Sequence, residues 1–328
     1  MNKRSVVVSG GGTGGHLYPA LVVGRKLLTM QPGLDLTYVG TRRDVEQKIM
    51  AEHGVKFIRM RIEGLKGRGL KSLRALIILP LAFVHSLAIL IRTRPGLVIG
   101  VGGYSSGPIV LLASWFRVPT VILEQNARPG FTNRLLARWV SRAVVAFPST
   151  LPAFKGKGVA LGNPVREEFY ALPAKERTGT LDVLVFGGSQ GSRFLNDRIT
   201  AALPLLAAAK DRLRMTHQTG PNDLERVRAA YRANGFDGAE VAAYFPGMAA
   251  YFGRADLIVS RAGATTLAEI IAARRAALLV PFAGASEDHQ SANARELEAA
   301  DPAGRLPEPW PSPVTPAPTT PPPRPRTA

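Results

Sequence analysis

Two stretches of this chain share one arrangement, a strand followed by a glycine turn and then by a helix. Residues 6–27 read VVVSGGGTGGHLYPALVVGRKL, and residues 180–199 read TLDVLVFGGSQGSRFLNDRI. Glycine allows positive φ angles and lets a ligand approach the backbone closely. The free N–H groups at the start of a helix favour an anion such as phosphate. Two such stretches, about 176 residues apart, predict two similar α/β units.

The first glycine turn by itself leaves two interpretations open. It lacks the lysine of a P-loop and the spacing of a clean dinucleotide fingerprint. A tight strand-to-helix turn without a ligand therefore explains the pattern as well as a phosphate site does. Residues 6–8 predict a buried strand and residues 19–28 predict a helix. His16 lies between them, close to the predicted start of the helix.

Further apolar runs alternate with helical patterns along the chain. They occupy residues 36–40, 96–103, 120–124 and 143–147, and then 215–220, 240–245, 255–264 and 276–282. This order predicts an α/β fold with parallel sheets, built as two doubly wound domains. Ligands bind at the carboxyl ends of the strands in such sheets, so two facing domains would share one cleft.

Turn residues in GNPVREEF indicate a boundary between the two domains. We place the first domain at residues 1–163 and the second at residues 164–300. Residues 301–328 form a separate tail in which 11 of 28 residues are Pro. Such a composition predicts an extended, disordered segment.

The charge distribution favours anionic partners. The net charge is +18, and residues 1–95 hold 16 Lys and Arg against 5 Asp and Glu. This suits phosphate-bearing substrates, nucleic acid or an acidic membrane surface. No helix-turn-helix, zinc-finger or aromatic RNA-binding pattern is present, which argues against nucleic acid. The lack of Cys excludes disulfides and suits a cytoplasmic protein, and we expect no signal peptide because glycines follow the first apolar residues so closely.

Residues 76–91 are sixteen residues without a charge, interrupted by Pro80. This run is shorter than the ~20 residues that a membrane-spanning helix needs. One interpretation is a buried pair of core helices. The other interpretation is a membrane-binding surface, because a basic cluster lies just upstream with Glu63 as its only acidic residue. The cluster consists of Lys56, Arg59, Arg61, Lys66, Arg68, Lys71 and Arg74. Apolar surface beside such a cluster is typical of a protein that rests on an anionic bilayer.

Eight short motifs, taken in order, resemble those of one known family. They are GGGTGGHLYPA, GVGGYSSGP, EQNARPGFTNRLLA, GNPVR, GGSQGS, HQTG, SRAGATTLAE and DHQSANA, between residues 10 and 294. Together they resemble the peptidoglycan glycosyltransferases of family 28 that add N-acetylglucosamine to lipid I and form lipid II. The resemblance covers about nine-tenths of the chain. Each motif alone is only moderately specific, whereas eight in register are a strong signal.

The resemblance implies the GT-B fold, in which two Rossmann-like domains face each other across the active cleft. It implies UDP-N-acetylglucosamine as donor and lipid I, an undecaprenyl-diphosphate-linked N-acetylmuramoyl-pentapeptide, as acceptor. It also implies a peripheral protein at the cytoplasmic face of the membrane. The family needs neither a cofactor nor an active-site metal, so backbone dipoles have to offset the charge of the leaving group.

The resemblance further implies roles for individual residues. Substrate contacts are implied for Thr13, Gly14, Gly15, Asn126, Arg166, Ser189, Glu269 and Gln290. Asn126 and Gln290 would contact the donor sugar. Arg166 and Ser189 would contact the diphosphate, and Glu269 would bind the ribose hydroxyls. Each residue also has a structural interpretation, such as a turn cap or a surface ion pair, but the whole set together favours binding.

The implied reaction is a direct displacement that inverts the anomeric carbon. The attacking 4-hydroxyl has to lose a proton, and His16 is the leading candidate for the general base because imidazole titrates near neutral pH. A hydrogen bond from His16 to the acceptor is the competing role. Tyr104 and Asn126 are candidates for positioning the acceptor. We interpret His217 as structural and His289 as a neighbour of the donor.

The chain departs from the family pattern in three places. Arg274 and Ala276 replace a Gly and a Pro in the turn after SRAGATTLAE, and we expect an altered start of the next strand. Pro246 stands where the family presents a backbone N–H to the uracil, and proline has no such donor. The proline-rich tail stands in place of further helices, so we expect a loosened second domain; a reading-frame shift near residue 300 would produce this change.

These departures keep two other functions open. One is a relic that binds a UDP-sugar without turnover. The other is a different lipid-directed GT-B glycosyltransferase, such as a galactosyl-diacylglycerol synthase. Transfer to a lipid I analogue separates the enzyme from the relic, and competition between UDP-galactose and UDP-N-acetylglucosamine separates the two kinds of transferase.

Overall fold

The structure is a computed structural model. It describes residues 5–11, 14–60, 62, 70–176, 179–282, 284, 288–300 and 304–305. Within these residues strands and helices alternate along the chain, and every strand pairing is parallel. The predicted α/β fold with parallel sheets is confirmed.

The first sheet has seven strands. They are β1 (Ser5–Ser9), β2 (Asp35–Gly40), β3 (Phe57–Arg59), β4 (Leu97–Gly100), β5 (Thr120–Glu124), β6 (Arg142–Val145) and β7 (Gly158–Ala160). The helices of this part are α1 (Gly14–Met30), α2 (Asp44–Glu52), α3 (Leu70–Thr93), α4 (Ser106–Trp115) and α5 (Phe131–Leu136), with a 3₁₀ helix at Pro148–Phe154.

The second sheet has six strands. They are β8 (Leu181–Phe186), β9 (Leu213–Gln218), β10 (Glu240–Ala242), β11 (Leu257–Ser260), β12 (Ala276–Leu279) and β13 (Gly304–Arg305). Strand β13 lies within the segment predicted to be a separate disordered tail, and it pairs with β12. The helices of this part are α6 (Glu167–Tyr170), α7 (Arg193–Leu206), α8 (Leu224–Ala233), α9 (Met248–Arg254), α10 (Ala264–Ala273) and α11 (His289–Ala300), with a 3₁₀ helix at Ala207–Arg212.

Both sheets follow the same winding. The first has the order β3-β2-β1-β4-β5-β6-β7 and the second β10-β9-β8-β11-β12-β13. In each, the strand before the glycine turn lies between the second and the fourth strand, which is the Rossmann-like arrangement with its switch point beside that strand. Two Rossmann-like doubly wound domains, as the repeat predicts, are therefore present.

The central strands are buried on both faces of their sheets. In β1, Val7 packs on one side and Val6 and Val8 on the other. In β8, Leu184 and Phe186 pack on one side of the sheet, whereas Val183 and Val185 pack on the other. Helices cover both faces of a parallel sheet, so its strands are continuous apolar runs without alternation.

Helix α1 begins earlier than the sequence predicts. It starts at Gly14 instead of residue 19, and Pro19 lies inside it. Proline is tolerated there because it removes only one i→i−4 hydrogen bond, the bond to the carbonyl of Gly15. The earlier start places His16 in the first turn of the helix, not in the loop before it.

The interpretation of residues 76–91 as a buried pair of core helices is wrong, since α3 is a single helix of 24 residues that contains Pro80. One side of it packs into the core through Ala82, Ile89 and Leu90. The burial of this side holds the helix together across the proline. Among the described residues, no helix has the combination of length and apolarity that crossing a bilayer would require.

The expected change at the start of β12 does not occur. Arg274 adopts the left-handed conformation that glycine would adopt, with φ 54° and ψ 48°, and β12 begins at Ala276 in register with β11. The neighbouring Arg275 is buried, and its guanidinium donates to four carbonyl groups, those of Phe252, Pro173, Gly253 and Ala273. These bonds hold the turn without the usual Gly and Pro.

Replacing Arg274 by Gly is expected to stabilise the protein by about 0.5–1 kcal/mol, because a side chain in the left-handed region costs roughly 1–2 kcal/mol. The loss of its exposed hydrogen bond to the carbonyl of Leu172 offsets a part of the gain. Urea unfolding followed by circular dichroism measures the change. The control is Arg232→Gly in the last turn of α8, which should destabilise by up to about 1 kcal/mol; equal effects would contradict the account.

Candidate functional site

The carboxyl ends of the two sheets face each other, and the glycine turn of the first domain meets α10 of the second. The hydroxyl of Thr265 donates to the carbonyl oxygen of Gly15 at 3.0 Å. This carbonyl is available because Pro19, four residues further on, has no N–H to offer it. The missing hydrogen bond of one helix is thus supplied by the other domain.

A second contact between the domains centres on Asn293 of α11, which is fully buried. Its Oδ1 accepts from the backbone N–H of Ala127 at 2.8 Å. Its Nδ2 donates to Oδ1 of Asn126 and to the carbonyl of Ala262, both at 3.2 Å. One side chain therefore satisfies backbone groups of both domains, and sequence analysis did not single it out beyond its place in DHQSANA.

Glu124, at the end of β5, organises the loop that carries Asn126. One carboxylate oxygen accepts from the backbone N–H of Asn126 at 2.9 Å, and the other accepts from the N–H of Gly130 at 2.9 Å and from Asn133 at 2.8 Å. The side-chain amide of Asn126 donates to Glu124 as well, at 3.3 Å. Both ends of the Asn126 side chain thus have protein partners.

His16 lies at the bottom of the cleft against the turn after β4. Its ring fits because residue 102 is glycine, where a Cβ would lie 2.9 Å from Cε1 of the ring. Among the described residues, the buried Nδ1 atom has no hydrogen-bond partner. Burial lowers the pKa of His16 below its ordinary value. The charge of Glu124 and hydrogen bonds with Gln125 and the Val101 backbone oppose this effect, and His289 of the second domain adds a smaller lowering effect. The imidazole is therefore mostly neutral at pH 7 and able to accept a proton.

Arg166 and Glu269, two of the predicted ligands, form an ion pair at 2.9 Å. Arg166 also pairs with Glu168 at 2.9 Å and stacks on the ring of Tyr18 of the first domain. Burial raises the pKa of Glu269, and the charge of Arg166 opposes that rise. The predicted diphosphate contact and the predicted ribose contact are therefore paired with each other in this structure.

The other predicted residues are spread around the cleft. Ser189 is exposed in the glycine turn after β8. Gln290 accepts from the backbone N–H of Phe282 at 3.0 Å. Tyr104 lines an apolar groove between α3, α4 and α5. Gly14 and Gly15 form the start of α1, and Thr13 lies outside the described residues.

The segment expected to contact the uracil lies after β10. The N–H of Phe245 donates to the side chain of Gln218 at 2.8 Å, so it is already used within the protein. Pro246 follows and offers no N–H. These two positions leave no free backbone donor for a base.

Two further polar residues at the cleft were missed by sequence analysis. Arg261 donates to Ser192 of the second glycine turn and to the carbonyls of Val280 and Pro281, so it connects the loops after three strands. Glu46 of α2 is buried and accepts from the N–H and the hydroxyl of Thr41. Arg261 belongs to a quoted motif, whereas Glu46 had no signal in the sequence.

Among the described residues, no group of His, Asp and Glu side chains has an arrangement that could hold a metal ion. The cleft instead offers helix starts from both domains, α1 on one side and α7 and α10 on the other. Such helix starts stabilise anions through their free N–H groups.

Family models match both halves of the chain. The N-terminal domain model of glycosyltransferase family 28 matches residues 6–145, and the C-terminal domain model matches residues 182–306. The chain belongs to glycosyltransferase family 28. Apart from one residue at the start of each range, the first range of this family 28 protein spans β1 to β6 and the second spans β8 to β13, whereas β7 lies outside both.

Curated relatives cover most of this family 28 chain. A UDP-N-acetylglucosamine–N-acetylmuramyl-(pentapeptide) pyrophosphoryl-undecaprenol N-acetylglucosamine transferase of Myxococcus xanthus is 46% identical over 299 residues, which is 89% of this chain and 77% of the relative. A transferase of the same name from Syntrophus aciditrophicus is 44% identical over 307 residues, 92% of this chain and 85% of the relative.

Solved structures agree with this membership. The crystal structure of Acinetobacter baumannii MurG matches with a TM-score of 0.70 and 31% identity, covering 93% of this chain and 85% of that one. The glycotransferase of kitacinnamycin matches with a TM-score of 0.65 at 17% identity, covering 93% and 87%. At that identity the second likeness shows the fold alone.

Replacing Thr265 by Val should weaken the contact between the domains, because valine has the same shape but no hydroxyl for the carbonyl of Gly15. Loss of one such hydrogen bond shifts the balance toward an open arrangement by about 0.5–1.5 kcal/mol. Small-angle scattering should show a larger radius of gyration. Thr266→Val, the neighbouring residue on α10, is the matched control; equal opening in both variants would contradict the role given to Thr265.

Proposed function

We propose that this protein is an inverting glycosyltransferase that transfers N-acetylglucosamine from UDP-N-acetylglucosamine to the 4-hydroxyl of N-acetylmuramic acid in lipid I, giving lipid II for peptidoglycan synthesis. The observation that carries the proposal is the identity of 44–46% over about nine-tenths of the chain with transferases of that name. The geometry agrees with it, since the cleft joins two sites suited to anions, and both substrates are diphosphates.

The donor is proposed to bind on the second domain. Its diphosphate would lie at the glycine turn with Ser189 and near the start of α10, where helix N–H groups offset its charge. Arg166 would then turn from Glu269 to the diphosphate, and Glu269 would accept from the ribose hydroxyls. Donor binding in this proposal exchanges a protein ion pair for two contacts with the ligand, and Asn126 and Gln290 complete the site at the sugar.

The acceptor is proposed to bind on the first domain, with Tyr104 beside it. The oxygen of the 4-hydroxyl attacks the anomeric carbon while the bond from this carbon to the UDP oxygen breaks, and UDP leaves with the electron pair. The proton of the hydroxyl passes to His16. A neutral imidazole is required for this step, and the lowered pKa of His16 provides it at neutral pH.

Transfer should be measured with radiolabelled UDP-N-acetylglucosamine and a lipid I analogue, with disaccharide-lipid as the product. His16→Ala should lower kcat by about 10²–10⁴-fold, the usual contribution of a general base, with little change in the KM of the donor. Because the pKa of His16 is lowered, the rate should stay constant as the pH falls to about 6.5 and decline only below that value.

The outcomes separate the alternatives. Equal product formation when UDP-galactose replaces UDP-N-acetylglucosamine would favour another lipid-directed transferase. Binding of UDP without any product would favour a relic without turnover. An unchanged rate in His16→Ala would remove His16 as the base but leave the transferase activity itself established.

A membrane surface on the first domain belongs to the same proposal. Helix α3 exposes Leu81, Val84 and Ile91, and the groove beside Tyr104 joins this helix to α4 and α5. Trp115 and Trp139 are exposed on the same domain and stack edge to face with ring centroids 6.0 Å apart. An exposed apolar surface of this kind suits insertion into the headgroup region of a bilayer.

The basic cluster of this membrane proposal is only partly described. Lys56 pairs with Asp35 at 3.2 Å, and Arg59 donates to Gln47 at 2.9 Å. The remaining members, Arg61, Lys66 and Arg68 and the side chains of Lys71 and Arg74, lie outside the described residues. The electrostatic part of the proposal therefore rests on the sequence.

Leu81→Ser is expected to weaken binding to vesicles that contain anionic lipid by about threefold to tenfold, because it removes roughly 1 kcal/mol or more of buried apolar surface. Sedimentation with liposomes measures the bound fraction, which should also fall with salt. Leu205→Ser is the matched control, since Leu205 is similarly exposed but lies on α7 of the second domain. Equal binding to neutral vesicles at high salt would contradict the electrostatic part.

A further inference from the structure

A buried chain of hydrogen-bonded polar side chains lies directly behind the glycine turn of the second domain. His217 of β9, Asn196 of α7 and Tyr231 of α8 are each at most 1% exposed. The ring of His217 lies 3.2 Å from the hydroxyl of Tyr231 through Nδ1 and 3.0 Å from Oδ1 of Asn196 through Nε2. The amide of Asn196 continues the chain to the carbonyl of Thr219 at 2.9 Å and to Asp223 at 2.8 Å.

Only one placement of the hydrogens satisfies all of these bonds. The carbonyl of Thr219 and the carboxylate of Asp223 are acceptors, so the NH₂ group of Asn196 has to face them. The oxygen of Asn196 then faces His217, whose Nε2 has to carry the proton. Nδ1 is left as an acceptor for the hydroxyl of Tyr231. Every hydrogen bond therefore points from Tyr231 toward Thr219 and Asp223.

The chain requires His217 to be neutral, and the structure keeps it so. Burial lowers the pKa of His217 to about 3, against a smaller opposing effect of Asp223. Protonation would place a second donor against the hydroxyl of Tyr231, whose own pKa is raised by burial. These hydrogen bonds therefore keep one direction throughout the pH range in which the protein works.

The inner end of the chain fixes the glycine turn. The carbonyl of Thr219 lies directly against Gly191, and the carbonyl of Gln190 lies against Gly220, so that a Cβ on either glycine would collide with backbone. Both glycines have positive φ angles, 74° and 79°. The turn after β8 and the turn after β9 are thus packed backbone to backbone, and a shift of Thr219 has to move residues 188–191.

We propose that His217 is a positioning residue for the donor, acting through Asn196 and Thr219 on the glycine turn that holds the diphosphate. This inference rests on the proposed function, because that proposal puts the donor diphosphate at the turn with Ser189. His217 touches no substrate. It fixes the position of the backbone that does.

A pair of substitutions isolates the bond that carries this role. In His217→Gln the side-chain NH₂ can reproduce the donation from Nε2 to Asn196. In His217→Asn the shorter side chain reproduces only the Nδ1 side, next to Tyr231. Tyr231→Phe removes the outer end of the chain and leaves the bond between His217 and Asn196 in place.

Calorimetric titration with UDP tests the proposal without needing an acceptor. His217→Asn should weaken UDP binding about tenfold, as expected for one buried hydrogen bond lost, while His217→Gln and Tyr231→Phe should change it by less than about threefold. In the transfer assay, His217→Asn should raise the KM of the donor and leave kcat and the KM of the acceptor nearly unchanged. The pH dependence of UDP affinity between pH 8 and pH 5 should be the same in the wild type and in His217→Gln, because His217 stays neutral throughout this range.

Three outcomes would overturn the proposal. One is a lowered melting temperature in His217→Asn without any change in UDP affinity, which would assign His217 a structural role only. Another is an equal loss of affinity in His217→Asn and His217→Gln. The third is a pH dependence of UDP affinity between pH 8 and pH 5 that differs between the wild type and His217→Gln. If UDP binding responds as expected but no sugar is transferred, the positioning role stands and the proposed transferase activity fails.

Discussion

A missing backbone donor creates one of the contacts that join the two domains. Because Pro19 has no N–H, α1 cannot use the carbonyl of Gly15, and Thr265 of the second domain supplies the hydrogen bond instead. Asn293 adds a second bridge to the loop after β5. His16 lies between these two contacts, in the first turn of α1, and faces the second domain. These contacts help to hold the cleft and the facing helix starts in place.

The cleft of the unliganded protein is held by polar groups that a substrate would also use. Arg166 pairs with Glu269, and Asn126 is bonded within the protein at both ends of its side chain. Such groups avoid the cost of being buried without partners. A ligand that takes these bonds has to release the protein partners, so binding and rearrangement of the cleft are coupled. The hydrogen-bonded side chains around His217, behind the second glycine turn, differ in this respect. They are buried away from the substrate, so they keep their partners and serve as a fixed support.

Sequence patterns predicted the strands well because buried parallel strands are short apolar runs whose type does not depend on distant residues. The same patterns failed where a tertiary contact outweighed a local signal. Pro19 predicts the start of a helix and Pro80 predicts an interruption. Instead, α1 begins five residues before Pro19 and α3 continues through Pro80, since a bond from the other domain and packing compensate. Arg274 predicts an altered turn, yet the buried guanidinium of Arg275 holds the backbone in place. The candidate site could be located at the glycine turns, but the pairing of Arg166 with Glu269 could not.

The sequence by itself determined two α/β domains, the positions of the two glycine turns, and the family to which its motifs point. These follow from local rules, namely the conformational freedom of glycine, the apolarity of buried strands and the order of motifs along the chain. Only the tertiary structure decided that Gly15 meets Thr265, that Glu124 holds the loop of Asn126, and that His217 is neutral and bonded to Asn196. Those facts depend on which side chains share a buried space, and burial is set by the packing of segments that lie far apart in the sequence.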